Sequence, residues 1–214
     1  WRLFFWPKWL DSGTDLRPLL LTIRPHPLRA PFMMFDRTIR HCRQCGALVA
    51  RRLPDDGDTK LRAICTACHT VHYENPLNVV GTVPWLDDQV LLCKRNIEPR
   101  KGKWTLPAGF MELGESASEG AARETTEEAG AQFIMEDLFT VMSVPRVGQV
   151  HLYYRARLTS DVFDPGHETM EAKLFKEADI PWDDLAFRTV KETLEHYFAD
   201  RRAGQFGTHA FDIA

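Results

Sequence analysis

The sequence predicts a layered α/β (α+β) domain with a small metal-binding module in front of it. Three observations support this fold class. Strand-like and helix-like segments alternate after residue 75, one long helix follows a glycine-rich loop, and two Cys-x-x-Cys pairs precede both. At 214 residues with 44% hydrophobic content, the chain can form one domain with its own core and a satellite. The predicted ranges are a poorly ordered or extraneous extension at 1–34, a zinc ribbon at 35–74, the main domain at 75–205 and a tail at 206–214.

Charge is distributed unevenly along the chain, although the formal total is only −3. Residues 1–53 carry ten Lys or Arg against three Asp or Glu, which leaves seventeen against twenty-seven in the remainder. The basic residues are scattered among proline and apolar residues rather than grouped, which argues against nucleic-acid binding. No apolar run approaches the roughly 20 residues of a membrane-spanning helix. We therefore expect no contact with a membrane.

A hairpin is predicted at the start of the main domain. Asn78–Leu86 is rich in valine, Asp87-Asp88 forms a turn, and Gln89–Lys94 has the composition of a paired strand. Upstream, residues 1–34 hold five of the thirteen prolines and show no sustained period. No regular structure is expected in that extension.

The strongest helix signal covers residues 116–129. Ser116 and Glu119 can form a capping box, alanines occupy the middle, and Gly130 stands at the stop position. These features predict a long helix directly after the glycine-rich loop.

Three strands and a second helix are predicted beyond residue 130. Leu138–Val144 and Gln149–Leu158 have strand composition, and Leu174-Phe175 lies on a further short strand. From Trp182 to Ala199, apolar and charged residues alternate at helical spacing. The alternation of strands and helices is the basis of the predicted fold class.

The cysteine pairs predict a structural metal site. Cys42-x-x-Cys45 and Cys65-x-x-Cys68 are separated by nineteen residues, which is typical of a Zn²⁺ ion held by four thiolates on two knuckles. Zinc would supply folding free energy that so short a segment cannot obtain from a core. Two such pairs without a secretory signal indicate a reducing compartment, so we expect the protein to be cytoplasmic.

Other readings of the cysteines and nearby histidines remain open. A redox dithiol is the main alternative, although it usually has a single Cys-x-x-Cys at the start of a helix. His69 and His72 lie close enough in sequence to replace a thiolate, but such histidines are more often exposed neighbours. Cys93 lies in an apolar strand and is expected to be a buried free thiol.

Three glutamates of the predicted helix form the clearest candidate for a reactive site. Glu124, Glu127 and Glu128 stand at i, i+3 and i+4, so their side chains share one face. Carboxylates this close repel one another unless cations neutralise them, and clustered oxygen ligands suit Mg²⁺ or Mn²⁺. Arg123 is placed to pair with Glu115 or Glu127 and to hold the carboxylates in position. Taken alone, however, a glutamate-rich helix face is usually just solvated.

The spacing of the whole segment resembles the Nudix box, G-x5-E-x7-R-E-U-x-E-E-x-G-U, in which U is a bulky aliphatic residue. The matching positions are Gly109, Glu115, Arg123, Glu124, Glu127, Glu128 and Gly130. The preceding Leu106-Pro107-Ala108 also resembles the loop before the box in that family. Thr125 and Ala131 depart from the expected aliphatic residues, which bears on packing rather than on metal binding.

The resemblance implies both a fold and a set of roles. The fold is a Nudix-type mixed-sheet α/β/α sandwich, here preceded by a zinc ribbon. The implied Mg²⁺ or Mn²⁺ ligands are Glu124, Glu127, Glu128, Glu115 and the backbone at Ala108-Gly109. Arg123 would orient these acids, and Glu127, Glu128 and Arg123 are the implied catalytic residues of the helix.

Two types of ribbon-bearing Nudix enzyme are candidates. Residues 145–149, 168–175 and 180–182 resemble the ADP-ribose and FAD pyrophosphatase type. The NADH pyrophosphatase type has a Ser-Gln-Pro-Trp-Pro-Phe-Pro-like motif after the box, whereas residues 142–147 read Met-Ser-Val-Pro-Arg-Val. The resemblance therefore implies metal-dependent hydrolysis of the diphosphate bond in ADP-ribose or FAD, releasing AMP. NADH remains the alternative substrate.

Four residues outside the helix complete the predicted site. A carboxylate must take a proton from the attacking water, and Glu168 and Glu171, in a loop before the strand at Leu174, are the candidates. On sequence alone both are equally well explained as ordinary surface charges. Arg146 and Tyr154 are the expected substrate contacts, since Tyr153 or Tyr154 can stack on a base or flavin, although strand aromatics more often belong to the core.

Two hypotheses without catalysis are also consistent with the composition. One is a Nudix-like nucleotide-sensing module, but such a module is expected to lose box glutamates that are intact here. The other is a nucleic-acid-binding ribbon, whose binding should weaken steeply with salt. The expected partner is a nucleoside diphosphate conjugate as substrate, and the sequence leaves a homodimer open.

Overall fold

The structure, a computed structural model, describes residues 38–214. These residues fall into two compact units, one ending at His72 and one running from Tyr73 to Ala214. The extension predicted at 1–34 lies outside the described residues. Within the described part, no helix is long and apolar enough to cross a membrane.

The first unit is a three-stranded antiparallel sheet that carries the two cysteine knuckles. Its strands are β1 (Val49–Arg52), β2 (Arg62–Cys65) and β3 (Val71–His72), and β2 lies in the middle. A residue with left-handed backbone follows each Cys-x-x-Cys pair, Gly46 (φ 77°) after the first and His69 (φ 60°) after the second. This conformation reverses the chain just after each pair.

The second unit is a mixed sheet with a helix on each face. Its strands are β4 (Leu77–Leu86), β5 (Gln89–Arg95), β6 (Trp104–Thr105), β7 (Ala108–Phe110), β8 (Phe133–Val144), β9 (Gln149–Leu158), β10 (Thr169–Lys176) and β11 (His209–Asp212), and its helices are α1 (Ala117–Ala129) and α2 (Arg188–Ala203). The main strand order is β10-β5-β4-β9-β8-β11, with β6 beside β5 and β7 beside β4. β4 and β9 are parallel, as are β8 and β11.

Two apolar clusters cover the two faces of this sheet. The larger one packs α2 residues such as Val190 and Leu194 against Val83 of β4 and Phe139 of β8. The smaller one includes Ala129 of α1 with side chains from β5 and β9. Because strand residues alternate between the faces, each helix buries its own set of strand side chains. The predicted α/β/α sandwich is confirmed.

The observed elements agree with the sequence for the hairpin and the first helix, but the second helix begins later than predicted. Trp182–Asp184 is a short 3-10 turn, and α2 starts only at Arg188. The intervening chain pairs with β6 instead, since Ala186 N donates to Trp104 O (2.8 Å). Satisfying these backbone groups in the sheet delays the start of the helix.

In the second unit, three short strands were not predicted. β6 and β7 lie in the glycine-rich loop and are held by pairing with β5 and β4. β11 lies in the segment predicted as a tail, where it pairs in parallel with β8 and is followed by the buried Ile213. Segments of two to four residues carry too little local signal, because distant partners determine their conformation.

Candidate active site

Both ends of α1 are fixed by the capping groups that the sequence predicts. The Ser116 hydroxyl accepts from Glu119 N (3.3 Å), and the Glu119 carboxylate accepts from Ser116 N (2.8 Å). At the other end Gly130 adopts the left-handed conformation (φ 59°). A helix with both ends fixed presents its side chains at defined positions, including the three glutamates of its last two turns.

The three helix glutamates differ strongly in exposure. Glu128 is 7% exposed and the Glu124 side chain 13%, whereas the Glu127 side chain is 60% exposed. Burial raises the pKa of Glu128 to about 8 and also raises the pKa of Glu124. The acids therefore form a gradient from the protein interior to solvent, and a bound cation would stabilise the ionised form of the buried Glu128.

Arg123 connects four oxygen groups around these acids. Its Nε and Nη2 donate to both oxygens of Glu115 (3.0 and 2.9 Å), and its Nη1 donates to Glu124 (2.8 Å) and Glu127 (3.2 Å). Nη2 also donates to the Phe110 carbonyl (3.2 Å). The guanidinium lowers the pKa of Glu115 to about 2, so this carboxylate is ionised. Arg123 thus fixes the rotamers of two helix acids and ties them to the preceding loop.

The main chain of β7 lies directly against the acids. Ala108 N donates to Glu128 Oε2 (3.0 Å). A Cβ at position 109 would come well under 3.0 Å from the Glu124 carboxylate, so only glycine permits the observed approach. The backbone at Ala108-Gly109, predicted as a metal contact, is therefore adjacent to Glu124 and Glu128.

The structure places the two candidate proton acceptors differently. Glu168 lies in the turn before β10, and its charge contributes to the raised pKa values of Glu124 and Glu128. Glu171 lies within β10 rather than in a loop, opposite Lys94 of β5, and is exposed. Of the two, only Glu168 is among the charges that raise the pKa values of the helix acids.

The two predicted substrate contacts lie on different elements of the second unit. Arg146 is exposed in the 3-10 turn between β8 and β9. Tyr154 is half-buried and pairs with Thr82 of β4, whose hydroxyl meets that of Thr125 on α1 (2.7 Å). Tyr154 therefore lies on the face of the sheet that α1 covers.

Two residues near Glu128 were not predicted as part of the site. The charge of Arg95, at the end of β5, opposes the rise in the pKa of Glu128. The charges of Glu128 and Arg95 also affect the pKa of the buried Tyr153, which Glu128 raises and Arg95 lowers. Tyr153 is adjacent in sequence to the predicted Tyr154 but lies on the opposite face of β9. Both faces of this strand are covered, so the alternation alone could not show which tyrosine lies on the α1 side of the sheet.

The four predicted zinc ligands converge in the first unit. Cys42, Cys45, Cys65 and Cys68 have sulfur atoms within 4.8 Å of one another, and three Sγ–Sγ pairs are 3.4–3.6 Å apart. Backbone N–H groups of Gln44 and Ala67 point at Cys42 Sγ and Cys65 Sγ (both 3.4 Å). This donor set fits tetrahedral zinc, in which the sulfurs lie about 2.3 Å from the ion. Among the described residues these four form the cluster, without His69 or His72.

Comparisons with known proteins place this geometry in a family. Residues 76–197 match the NUDIX domain and residues 40–74 match the family described as Nudix N-terminal. An ADP-ribose pyrophosphatase from Methanocaldococcus jannaschii is 30% identical over 113 residues, which cover 51% of this chain and 67% of the relative. A NAD-capped RNA hydrolase NudC from Vibrio parahaemolyticus is 30% identical over 139 residues, which cover 58% of this chain and 49% of the relative.

A solved structure gives a more extensive match. The crystal structure of a NUDIX hydrolase from Nitrosomonas europaea is 48% identical, has a TM-score of 0.78 and covers 82% of this chain and 99% of its own. The chain spans about half to two thirds of the length of the two curated relatives. Because the NUDIX domain match covers more than half of the chain, the resemblance read from the box is confirmed, and the chain belongs to the Nudix family.

Proposed function

We propose that this protein hydrolyses the diphosphate bond of a nucleoside diphosphate conjugate such as ADP-ribose or FAD, with Mg²⁺ or Mn²⁺, and releases AMP. The observation that carries the proposal is the graded set of acids on α1, with Glu128 buried, Glu127 exposed and Arg123 bracing the cluster. The curated relative named ADP-ribose pyrophosphatase supports the substrate class. A buried carboxylate without this chemistry would only destabilise the fold.

The residues that would hold the cation are Glu124, Glu127 and Glu128, with Glu115 and the Gly109 backbone close by. A bound divalent cation supplies charge neutralisation for the diphosphate and lowers the pKa of the attacking water. Arg123 keeps Glu124 and Glu127 oriented, so little reorganisation is needed during the reaction. The hydrogen bond from Ala108 N holds the carboxylate of the buried Glu128 in a fixed orientation.

Glu168 is our proposed proton acceptor, in preference to Glu171. It lies close enough to Glu124 and Glu128 for its charge to affect the pKa of both. Its side chain is 43% exposed, so a proton taken from the attacking water can pass to solvent. Glu171 is exposed on β10, and we assign it no chemical role.

A second substrate class has specific support. Several curated relatives are named NAD-capped RNA hydrolase NudC, at 27–33% identity. We therefore propose NAD-type conjugates, including a 5′ NAD cap, as the second candidate. We also propose that zinc at the four cysteines is structural and that the protein is cytoplasmic, as the cysteine usage indicates.

The experiment is a parallel hydrolysis assay with Mg²⁺ or Mn²⁺. ADP-ribose, FAD, NADH, a NAD-capped RNA oligonucleotide and ATP are offered separately, and released AMP or the decapped chain is quantified. We expect the largest kcat/KM for ADP-ribose or FAD. In Glu127→Gln, kcat should fall by about 10²- to 10³-fold, because several kcal/mol of transition-state charge stabilisation are lost.

Glu195→Gln is the matched control, because this glutamate is half-exposed on α2 and pairs only loosely with Lys191 (3.9 Å). It should retain wild-type rates. Wild-type turnover by Glu127→Gln would remove Glu127 from the ligand set. Absence of hydrolysis of every diphosphate substrate by the wild type would overturn the proposed function.

A further inference from the structure

The loop that carries Glu168 touches the end of α1 at two glycines. A Cβ at Gly166 would lie well under 3.0 Å from the carbonyl oxygen of Glu127. A Cβ at Gly130 would lie equally close to backbone atoms of Asp164. Asp164 N donates to Ala129 O (3.1 Å). The loop backbone is therefore pressed against the last turn of the helix that carries the acids.

This contact satisfies groups that a helix end leaves without partners. The last four carbonyls of an α-helix have no donor within the helix, and Glu127 and Ala129 are among them. Asp164 N supplies a donor to Ala129, and Gly166 packs so closely on the Glu127 carbonyl that no Cβ would fit between them. The loop thus forms part of the helix terminus.

Gly166 also begins the turn that contains Glu168. Thr169 N donates to Gly166 O (3.0 Å), which closes a four-residue turn with Glu168 at its third position. On its far side this turn is anchored by Asn96, whose N donates to Glu168 O (2.7 Å) and whose Nδ2 donates to His167 O (2.9 Å). Glu168 is therefore held between the helix end and the loop after β5.

We propose that Gly166 is a positioning residue for Glu168, because its missing side chain lets the turn lie close enough to α1 for Glu168 to face Glu124 and Glu128. The inference rests on the proposed function. Gly166 is not among the residues with positive φ, so the position requires glycine for space rather than for backbone conformation. A methyl group there meets a backbone carbonyl, which cannot move aside as a flexible side chain can.

The test is Gly166→Ala, with Gly207→Ala as the matched control. Gly207 also lacks a positive φ, and a Cβ there meets nothing within 4 Å. We expect Gly166→Ala to lower kcat by about 10- to 100-fold with a nearly unchanged KM, since displacing a catalytic group by about 1 Å can cost this much. Gly207→Ala should retain wild-type kcat.

A second comparison separates positioning of Glu168 from a general structural effect. In a Glu168→Gln background, Gly166→Ala should cost less than about twofold in kcat, because residues that act through one another are not additive. Equal losses in both backgrounds would overturn the proposal. If Gly166→Ala does not fold, Asn96→Ala replaces it, since it removes the Nδ2 anchor without crowding α1 and should show the same dependence on Glu168.

The outcomes distinguish this inference from the proposed function. A wild type that hydrolyses none of the substrates contradicts the proposed function, and the role of Glu168 with it. An active wild type whose Gly166→Ala variant matches the Gly207→Ala control contradicts only the positioning role of Gly166.

Discussion

The four cysteines of the ribbon and the three glutamates of α1 are both clusters of like-charged ligands, but they are arranged differently. The cysteine sulfurs all lie within 4.8 Å of one another, with three separations of 3.4–3.6 Å, and come from two similar knuckles. The glutamates come from one helix and range from 7% to 60% exposed. A closed, symmetric set suits a metal that holds a fold together, whereas an open, uneven set leaves room for a substrate.

The two clusters also differ in what supports them. The ribbon has a three-stranded sheet, so the ion itself must supply much of its stability. The glutamates project from a helix packed on a large sheet, and Arg123 already compensates part of their repulsion. Loss of metal should therefore unfold the first unit but leave the second unit folded.

The largest expected effect follows from removing one thiolate. Cys65→Ser should lose zinc and the ordered ribbon, because zinc contributes on the order of 10 kcal/mol to such sites. Zinc content by atomic absorption and hydrogen exchange of residues 38–72 measure the two losses. Cys93→Ser is the control, since Cys93 lies outside the cluster, and it should keep about one zinc ion per chain. A Cys65→Ser ribbon with wild-type protection would contradict the structural role of zinc.

The next largest effect is expected from replacing Arg123, which holds the glutamates of α1 in position. Arg123→Lys keeps the charge but loses the fork that holds Glu115, Glu124 and Glu127 together. We expect kcat and Mn²⁺ affinity to fall by about 10- to 100-fold, as for other groups that orient metal ligands. Calorimetric titration with Mn²⁺ and steady-state kinetics measure this. Arg188→Lys, at an exposed ion pair on α2, should change neither.

Unlike the residues of the two clusters, an isolated titratable group that is buried is expected to stay neutral, because burial disfavours its charged form. His151 is 8% exposed, and burial lowers its pKa to about 4. The unfolded chain takes up this proton near pH 6.5, whereas the folded chain does so only near pH 4. The stability contributed by neutral His151 is therefore complete above pH 6.5 and is lost as the pH falls towards 4, by about 2 kcal/mol at pH 5.

Urea denaturation at pH 7.5 and pH 5 tests this dependence. His151→Gln should lose less stability than the wild type between the two pH values. His167→Gln, whose side chain is 92% exposed in the wild type, should behave as the wild type does. An unchanged pH dependence in His151→Gln would show that His151 is not responsible.

The smallest expected effect tests a hydrogen bond between α1 and the sheet. Thr125 donates to Ala121 O (2.7 Å), and its hydroxyl also meets that of Thr82 (2.7 Å), with both residues fully buried. Thr125→Val should cost about 1–2 kcal/mol, because one buried hydroxyl loses its partner. The double variant Thr82→Val/Thr125→Val removes both hydroxyls and should recover part of that loss in urea denaturation. A double variant with the full sum of both losses would contradict the pairing.

Much of the fold and of the candidate site could be predicted because its signals are local. Each of these signals involves residues that are close in sequence: the caps of α1, the glutamates of α1, and the two residues of each cysteine pair. Thr125, which departs from the aliphatic residue expected in the box, is explained only by the structure, through its contact with Thr82 of β4. That partner lies 43 residues away, beyond the range of any local pattern.

The features that could not be predicted depend on long-range pairing. β11 forms because β8 offers an edge for pairing. Arg95 and Tyr153 interact electrostatically with Glu128 only once β5 and β9 are part of the same sheet. The choice between Tyr153 and Tyr154 as the substrate contact illustrates the limit. Both tyrosines have the same chemistry, and one step along a strand changes which face a side chain occupies.

Ala108 supplies the buried acid with a peptide N–H and nothing from its side chain. Every amino acid except proline offers that same donor, so the hydrogen bond itself depends on the backbone at this position and not on which side chain stands there. A proline at position 108 would reveal its importance, since it would leave Glu128 buried and deprived of its main-chain donor.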